Sequence, residues 1–238
     1  MAVMLDAAFA GRRIFYVPHT LNLDAPDSFF QRFRFLRSRA SNLATRYRTI
    51  SVRKAFDIIA MRAADGDLLQ GGHVDFDSVR KSIRRNVKMI TMFREPAARC
   101  RSEYEYCRAS YGSRSALARI DSSIRYKMAA KYDFDGYLDF LLDRKKDYGD
   151  IGARYVGWNG NEKLEHFFGK FVFHAGVTEH GAAFARGLSD KMGLPVALPH
   201  WNGGDAAKKT PATAAQRKKI ERLYPRDMAL YEWQLARV

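Results

Sequence analysis

Short apolar runs separated by stretches of helical spacing set the predicted order of elements along this chain. The apolar runs at 12–18, 67–70, 87–93 and 171–177 are typical of short buried strands. Helical spacing dominates at about 28–47, 77–85, 96–131, 134–146, 178–192 and 216–237. Gly112 interrupts the third of these helices, Asp133 is a predicted N-cap, and Gly193 is a predicted helix end. Strands that alternate with helices predict a three-layer α/β fold with a mainly parallel sheet.

The most informative segment is 86–102, which joins an apolar strand to a helix. Arg94 falls where the strand ends, and Pro96 suits the first helical position because its missing N–H costs nothing there. Arg99 and Ser102 follow three residues apart, so they share a face of the new helix. A guanidinium, a hydroxyl and a helix N-terminus at a strand end predict a site for a phosphate-like anion. The alternative is an ordinary strand–loop–helix whose arginines are solvated.

Composition narrows the classes of partner. At 238 residues the chain is long enough for one well-packed domain over residues 1–238. A formal net charge of +15 indicates a polyanionic partner. Nucleic acid is disfavoured, because the aromatic residues fall at core spacing and are not interleaved with a basic patch. Cys100 and Cys107 lie too far apart on one predicted helix for a disulfide, so both are expected to be buried thiols.

Two further features concern the compartment. The first residues, MAVMLDAAFAGRR, include an acid and lack a basic start, so they do not predict a signal peptide. No apolar run approaches the length of a transmembrane helix. The sequence therefore predicts a cytoplasmic protein with no integral membrane segment, and it leaves peripheral membrane contact open.

The spacing Arg94-Glu95-Pro96-x-x-Arg99-x-x-Ser102 after an apolar strand resembles the 3′-phosphate motif of sulfotransferases. These enzymes use 3′-phosphoadenosine 5′-phosphosulfate (PAPS) as donor. The resemblance implies that Arg94 and Ser102 hold the 3′-phosphate, while Arg99 matches a position whose role can be structural. It also implies a P-loop-like sulfotransferase fold, with PAP as the nucleotide product and no metal. Animal Golgi members of the family carry a membrane anchor, so the resemblance implies either a bacterial-type enzyme or one whose anchor has been cut away.

The segment 16–20, Tyr-Val-Pro-His-Thr, resembles the start of the family's 5′-phosphosulfate loop. His19 stands where the family has a catalytic lysine, and the usual glycines are absent. Glycine lets backbone approach a phosphate closely, so their loss is a real departure. Thr20 or Ser28 would supply a hydroxyl to the donor. A later glycine-rich stretch that contains Lys208 and Lys209 resembles a mobile loop of the family that closes over the donor. A solvated surface loop fits this stretch equally well.

His73 follows two glycines at a predicted strand end. Residues 71–73, Gly-Gly-His, together with the Val-Asp-Phe that follows, resemble a segment of uronyl and heparan sulfate 2-O-sulfotransferases whose histidine is the general base. A histidine is neutral at pH 7 and can accept a proton, which suits that role. Asp75 and Asp77 are weaker candidates for the base, because an exposed carboxylate is a poor proton acceptor.

Other segments resemble the family more loosely. Arg154 and Tyr155 match an arginine–tyrosine pair near substrate. The basic residues Arg80 and Arg84 would line a groove for an acidic glycan, unless their helix face is simply solvated. Residues 175–179, Ala-Gly-Val-Thr-Glu, resemble the family segment that leads from a strand into the next helix. Residues 227–231, Asp-x-x-x-Tyr, resemble the C-terminal segment of the family, and we interpret them as packing residues.

The resemblance implies transfer of a sulfuryl group from PAPS to a carbohydrate hydroxyl, on an acidic polysaccharide or a glycolipid. One alternative is a non-catalytic protein that binds PAP or a polyanion through a degenerate donor loop. Another is a relative of P-loop kinases, which the missing Gly-Lys-Ser/Thr sequence disfavours.

Overall fold

Four short strands form two parallel pairs in the computed structural model, which describes residues 14–17, 61–62, 68–71, 75–83, 86–120, 122–196 and 211–238. Strand β1 (Ile14–Val17) pairs with β2 (Leu68–Gly71). Strand β3 (Met89–Phe93) pairs with β4 (Val172–Val177), so Phe93 and Val177 end together at one edge. The α/β class and the parallel pairing are confirmed, and the described part of the chain is mostly helical.

Helices make up most of the described chain. They are α1 (Phe76–Ile83), α2 (Pro96–Gly112), α3 (Ala116–Ile120), α4 (Ile124–Lys131), α5 (Phe134–Asp143), α6 (Lys145–Tyr148), α7 (Ile151–Val156), α8 (Leu164–Phe171), α9 (Gly181–Met192), α10 (Ala214–Leu223) and α11 (Pro225–Leu235). Across the described ranges, none of the helices has both the length and the apolar content needed to cross a membrane.

Local capping chemistry explains where several helices begin and end. The Asp133 carboxylate accepts the N–H of Gly136 at 2.9 Å, which confirms Asp133 as the N-cap of α5. Gly193 ends α9 with a φ of 64°, a conformation that glycine adopts without steric cost. Pro96 occupies the first turn of α2, and that helix ends at Gly112, both as predicted.

Several predicted boundaries differ from the structure. Phe171 belongs to helix α8 and not to the last strand, which begins at Val172. The predicted C-terminal helix is two helices, because Pro225 has no N–H to continue α10 and instead starts α11. The helix predicted to extend to Lys146 is interrupted at Arg144, which separates α5 from α6.

Apolar side chains of the described residues form one cluster among the helices and another against the β3–β4 pair. One joins α2, α4, α5 and α10 and contains Cys100, Cys107, Tyr137 and Leu223. Burial raises the pKa of Cys100 to about 12 and that of Cys107 to about 11, so both thiols stay protonated. The other cluster packs α8 and α11 against β3 and β4.

The Tyr137 hydroxyl is buried in the first cluster and has no hydrogen-bond partner there. A buried donor without a partner costs about 1–3 kcal/mol, so Tyr137→Phe is expected to raise the free energy of unfolding by about 1 kcal/mol. Urea unfolding followed by circular dichroism measures the change.

Tyr104 is the matched control, because it is buried in the same cluster but its hydroxyl makes hydrogen bonds. It donates to the carbonyl of Tyr132 at 3.1 Å and accepts from Arg108 at 2.6 Å. Tyr104→Phe is therefore expected to lower stability by about 1 kcal/mol. Equal losses in the two variants would contradict the assignment of Tyr137 as unsatisfied.

Candidate functional site

Arg94 lies directly after β3, at the edge where β3 and β4 end together. Its side chain is half-buried. Within the part of the chain that the structure describes, its guanidinium makes no hydrogen bond and no ion pair. A half-buried cation without a counter-charge at the carboxyl end of parallel strands is suited to bind an anion.

Ser102 follows two turns into α2 and is also half-buried. Its hydroxyl has no hydrogen-bond partner among the described residues. Arg94 and Ser102 therefore both keep donors for an incoming ligand, and these residue types fit a phosphate.

The N-terminus of α2 contributes less to anion binding than the sequence predicted. Glu95 is the N-cap, and its carboxylate accepts the N–H of Ala98 at 2.6 Å. Its backbone carbonyl accepts the N–H of Arg99. The helix supplies its own anion at these positions, so a phosphate here depends on the side chains of Arg94 and Ser102.

Glu179 connects the two strand ends. One oxygen of its carboxylate accepts the backbone N–H of Glu95 at 3.2 Å, and the other accepts the hydroxyl of Thr178 at 3.2 Å. The guanidinium of Arg217 on α10 lies 3.4 Å from the Glu95 carboxylate. The residues after β3 and those after β4 thus form one polar network.

Tyr231 on α11 completes this edge. It is buried in the second cluster, beside Phe93 and Val177. Burial raises the pKa of Tyr231, and the nearby carboxylates of Glu179 and Glu95 raise it further. Its phenol remains protonated at neutral pH.

Arg99 has a different environment from Arg94. Its guanidinium donates to the Asp227 carboxylate at 2.6 Å and lies over the ring of Tyr224, 4.7 Å from its centroid. Burial disfavours the charged form, but the attraction of Asp227 outweighs this, and the pKa of Arg99 is raised. Arg99 therefore links α2 to α11 and has a structural role.

Asp227 and Asp150 cap each other's helices. Asp227 accepts the N–H groups of Gly152 and Ala153 in the first turn of α7 at 3.2 and 2.6 Å. Asp150 accepts the N–H groups of Arg226 and Asp227 in the first turn of α11 at 2.8 and 3.3 Å. The reciprocal caps hold α7, α11 and α2 together behind the β3–β4 edge, so the interpretation of Asp227 as a packing residue is confirmed.

The other predicted site residues that the structure describes already have partners or lie at the surface. Arg80 forms an ion pair with Asp77 at 3.0 Å and lies over the ring of Phe171. Arg154 is exposed and donates to the carbonyl of Asp147 at 2.7 Å. Tyr155 is about one-third exposed, at 37%. An acceptor would have to displace the existing partners of the two arginines.

Seven predicted site residues lie outside the described residues: His19, Thr20, Ser28, His73, Arg84, Lys208 and Lys209. The strands that precede the two histidines are described, and their last residues, Val17 and Gly71, are register partners.

Sequence reasoning did not identify the capping role of Glu95 or its ion pair with Arg217. A signal for the cap was present, because Glu95 directly precedes the proline at the first helical position. No local signal links Glu95 to Arg217, which is 122 residues away. Comparison with models of known protein families, with curated proteins and with solved structures found no match to this chain.

Proposed function

We propose that this chain is a PAPS-dependent sulfotransferase that modifies a hydroxyl of a carbohydrate. We also propose the fold that goes with it, a three-layer α/β/α arrangement with P-loop-like architecture. The observation that carries the proposal is the half-buried guanidinium of Arg94 at the end of β3, which has no partner among the described residues. It supports a site for the 3′-phosphate of the donor.

The contrast between the two arginines of the motif strengthens this assignment. An ordinary strand–loop–helix would leave both arginines solvated. Instead Arg99 is tied to Asp227, while Arg94 has no partner in the described chain. That division agrees with the roles that the family resemblance implies.

The convergence of distant segments is a second support. Glu179, from the Thr-Glu step after β4, contacts the backbone of Glu95. Asp227, from the Asp-x-x-x-Tyr segment, contacts Arg99. Segments that resemble the family in isolation are therefore neighbours around the first half of α2.

The proposed chemistry is an in-line sulfuryl transfer. The acceptor oxygen forms a bond to sulfur while the bond between sulfur and the 5′-phosphate oxygen breaks, and the leaving oxygen keeps the electron pair. His73 takes the proton of the acceptor hydroxyl. Such reactions depend on positioning and charge stabilisation.

The remaining residues are assigned by the same resemblance. Arg94 and Ser102 orient the donor through its 3′-phosphate, and His19 stabilises charge on the leaving phosphate. The further donor contacts are Thr20, Ser28, Lys208 and Lys209. The proposed acceptor contacts are Arg80, Arg84, Arg154 and Tyr155. The positive charges of the three arginines suit an acidic glycan or glycolipid.

Replacing His73 by alanine is expected to abolish sulfuryl transfer while affinity for PAP stays within about twofold, because a general base contributes about 10²–10⁴-fold to rate. Transfer is measured with PAPS and a panel of acidic polysaccharides and glycolipids, and binding by calorimetry with PAP.

His166→Ala is the matched control, since this histidine is exposed on α8 and pairs with Glu162. Unchanged turnover in His73→Ala would contradict the base assignment. Tight PAP binding by the wild-type chain with no turnover on any acceptor would favour the non-catalytic alternative. Transfer that requires ATP and magnesium would favour a kinase relative.

A further inference from the structure

Helices α2 and α4 pack side by side, and the short helix α3 lies at the end of the hairpin that they form. None of the residues of α3 is buried. Leu117 is 77% exposed and Ile120 is 66% exposed, although both are large aliphatic side chains. We call residues 113–120 and 122–123 the hairpin tip. None of the described residues covers these two aliphatic groups, so they form an exposed apolar surface on one short helix.

The hairpin around the tip is strongly basic. Residues 106–131 contain one acid, Asp121, and six cations: Arg108, Arg114, Arg119, Arg125, Lys127 and Lys131. Arg125 is neutralised by Glu103 at 2.5 Å.

Three of the cations close to the tip have neutral partners. Arg119 donates to the carbonyls of Tyr111 and Gly112 at 3.2 and 2.7 Å. Arg114 donates to the Ser122 hydroxyl at 2.7 Å, and Lys127 to the Ile120 carbonyl at 2.9 Å. These bonds hold the positive charges around the exposed aliphatic groups without cancelling them.

We propose that the hairpin tip docks on an anionic lipid bilayer. Leu117 and Ile120 would enter the boundary between headgroups and acyl chains, while the surrounding cations contact anionic headgroups. Tyr106 is 64% exposed on the side of the hairpin and packs edge-to-face against Tyr126. Tyrosine is enriched at the headgroup level of membranes, so this pair suits the same surface.

The combination of charge and aliphatic exposure selects this partner over others. A second copy of the chain docked tip to tip would bring like charges together without compensation. An acidic glycan would offer anions but no apolar phase for Leu117 and Ile120. A nucleic acid would favour aromatic groups that stack on bases, whereas the two most exposed apolar residues of the hairpin, Leu117 and Ile120, are aliphatic.

The proposal is independent of the sulfotransferase assignment, because it rests on the far end of α2. That helix has 17 residues, so the tip lies roughly 25 Å from its first turn at helical rise. Membrane binding can therefore be measured without PAPS and without an acceptor.

Co-sedimentation of the full chain with vesicles tests the proposal. We expect binding to phosphatidylcholine vesicles that contain about 30% phosphatidylglycerol, and little binding to pure phosphatidylcholine. Raising NaCl from about 0.05 to about 0.5 M is expected to weaken binding at least about fivefold. The double variant Leu117→Gln, Ile120→Gln is expected to lower the partition coefficient at least about tenfold.

Leu235→Gln is the matched control, because Leu235 is an exposed aliphatic residue at the end of α11. It is expected to bind vesicles as the wild-type chain does. Circular dichroism and light scattering on all three proteins establish folding and oligomeric state. Vesicle binding that persists in the double variant would overturn the proposal. So would a wild-type dimer that the double variant converts to monomer, since a second copy would then cover the tip.

Discussion

Replacing Arg94 by alanine is expected to weaken the binding of PAP by about one to two orders of magnitude. The proposed contact joins a guanidinium to a phosphate, and hydrogen bonds to charged groups contribute about 1.5–3 kcal/mol. Arg94 has no partner among the described residues. Its replacement therefore deprives none of the described carboxylates of a counter-charge, and the fold is expected to stay unchanged. Calorimetry with PAP measures the loss.

Comparison with adenosine 5′-phosphate identifies which part of the ligand Arg94 contacts. This nucleotide lacks the 3′-phosphate, so its weaker affinity should be unchanged in Arg94→Ala. Arg186→Ala is the control for net charge, because Arg186 is an exposed arginine on α9. Equal losses for the two nucleotides, or no loss for PAP, would contradict the 3′-phosphate assignment.

Asp227→Ala is expected to lower the free energy of unfolding by about 2–4 kcal/mol, because the half-buried guanidinium of Arg99 would lose its charged hydrogen-bond partner. The change also removes the caps on the first turn of α7, where Gly152 and Ala153 donate to Asp227. Urea unfolding followed by circular dichroism measures the effect.

Two companion variants separate charge from capping. Asp227→Asn keeps a side-chain oxygen for the cap but loses the charge, so an intermediate loss is expected. Asp190→Ala removes an exposed carboxylate from α9 and is expected to change stability by less than about 0.5 kcal/mol. A loss below about 1 kcal/mol in Asp227→Ala would show that the Arg99–Asp227 pair does not hold α2 to α11.

The local parts of the fold were predictable because their causes are local. Pro96, Asp133 and Gly193 act through backbone groups within a few residues, and the helix boundaries that they mark are confirmed. The parallel class followed from short apolar runs that alternate with helical spacing. The three-layer arrangement stays a prediction.

Helix α8 was not predicted, although its signal was present. Leu164, Phe167, Phe168 and Phe171 recur at helical spacing and lie in or against the second cluster. The helix runs directly into β4 with no glycine or proline between them. The last aromatic residue of the helix was therefore assigned to the strand.

The candidate site was predictable in its residue types and not in their division of roles. Arg94 and Arg99 are the same residue five positions apart, and only the fold shows that one meets Asp227 while the other does not. The bond between Glu95 and Glu179 spans 84 residues, and that between Asp150 and Arg226 spans 76. No spacing rule predicts contacts at such separations.

A crystal structure of the chain with PAP tests the central claim most directly. The account predicts the 3′-phosphate at the end of β3, with its oxygens within hydrogen-bond distance of the Arg94 guanidinium and the Ser102 hydroxyl. Nucleotide bound elsewhere on the chain, with Arg94 pointing into solvent, would contradict it.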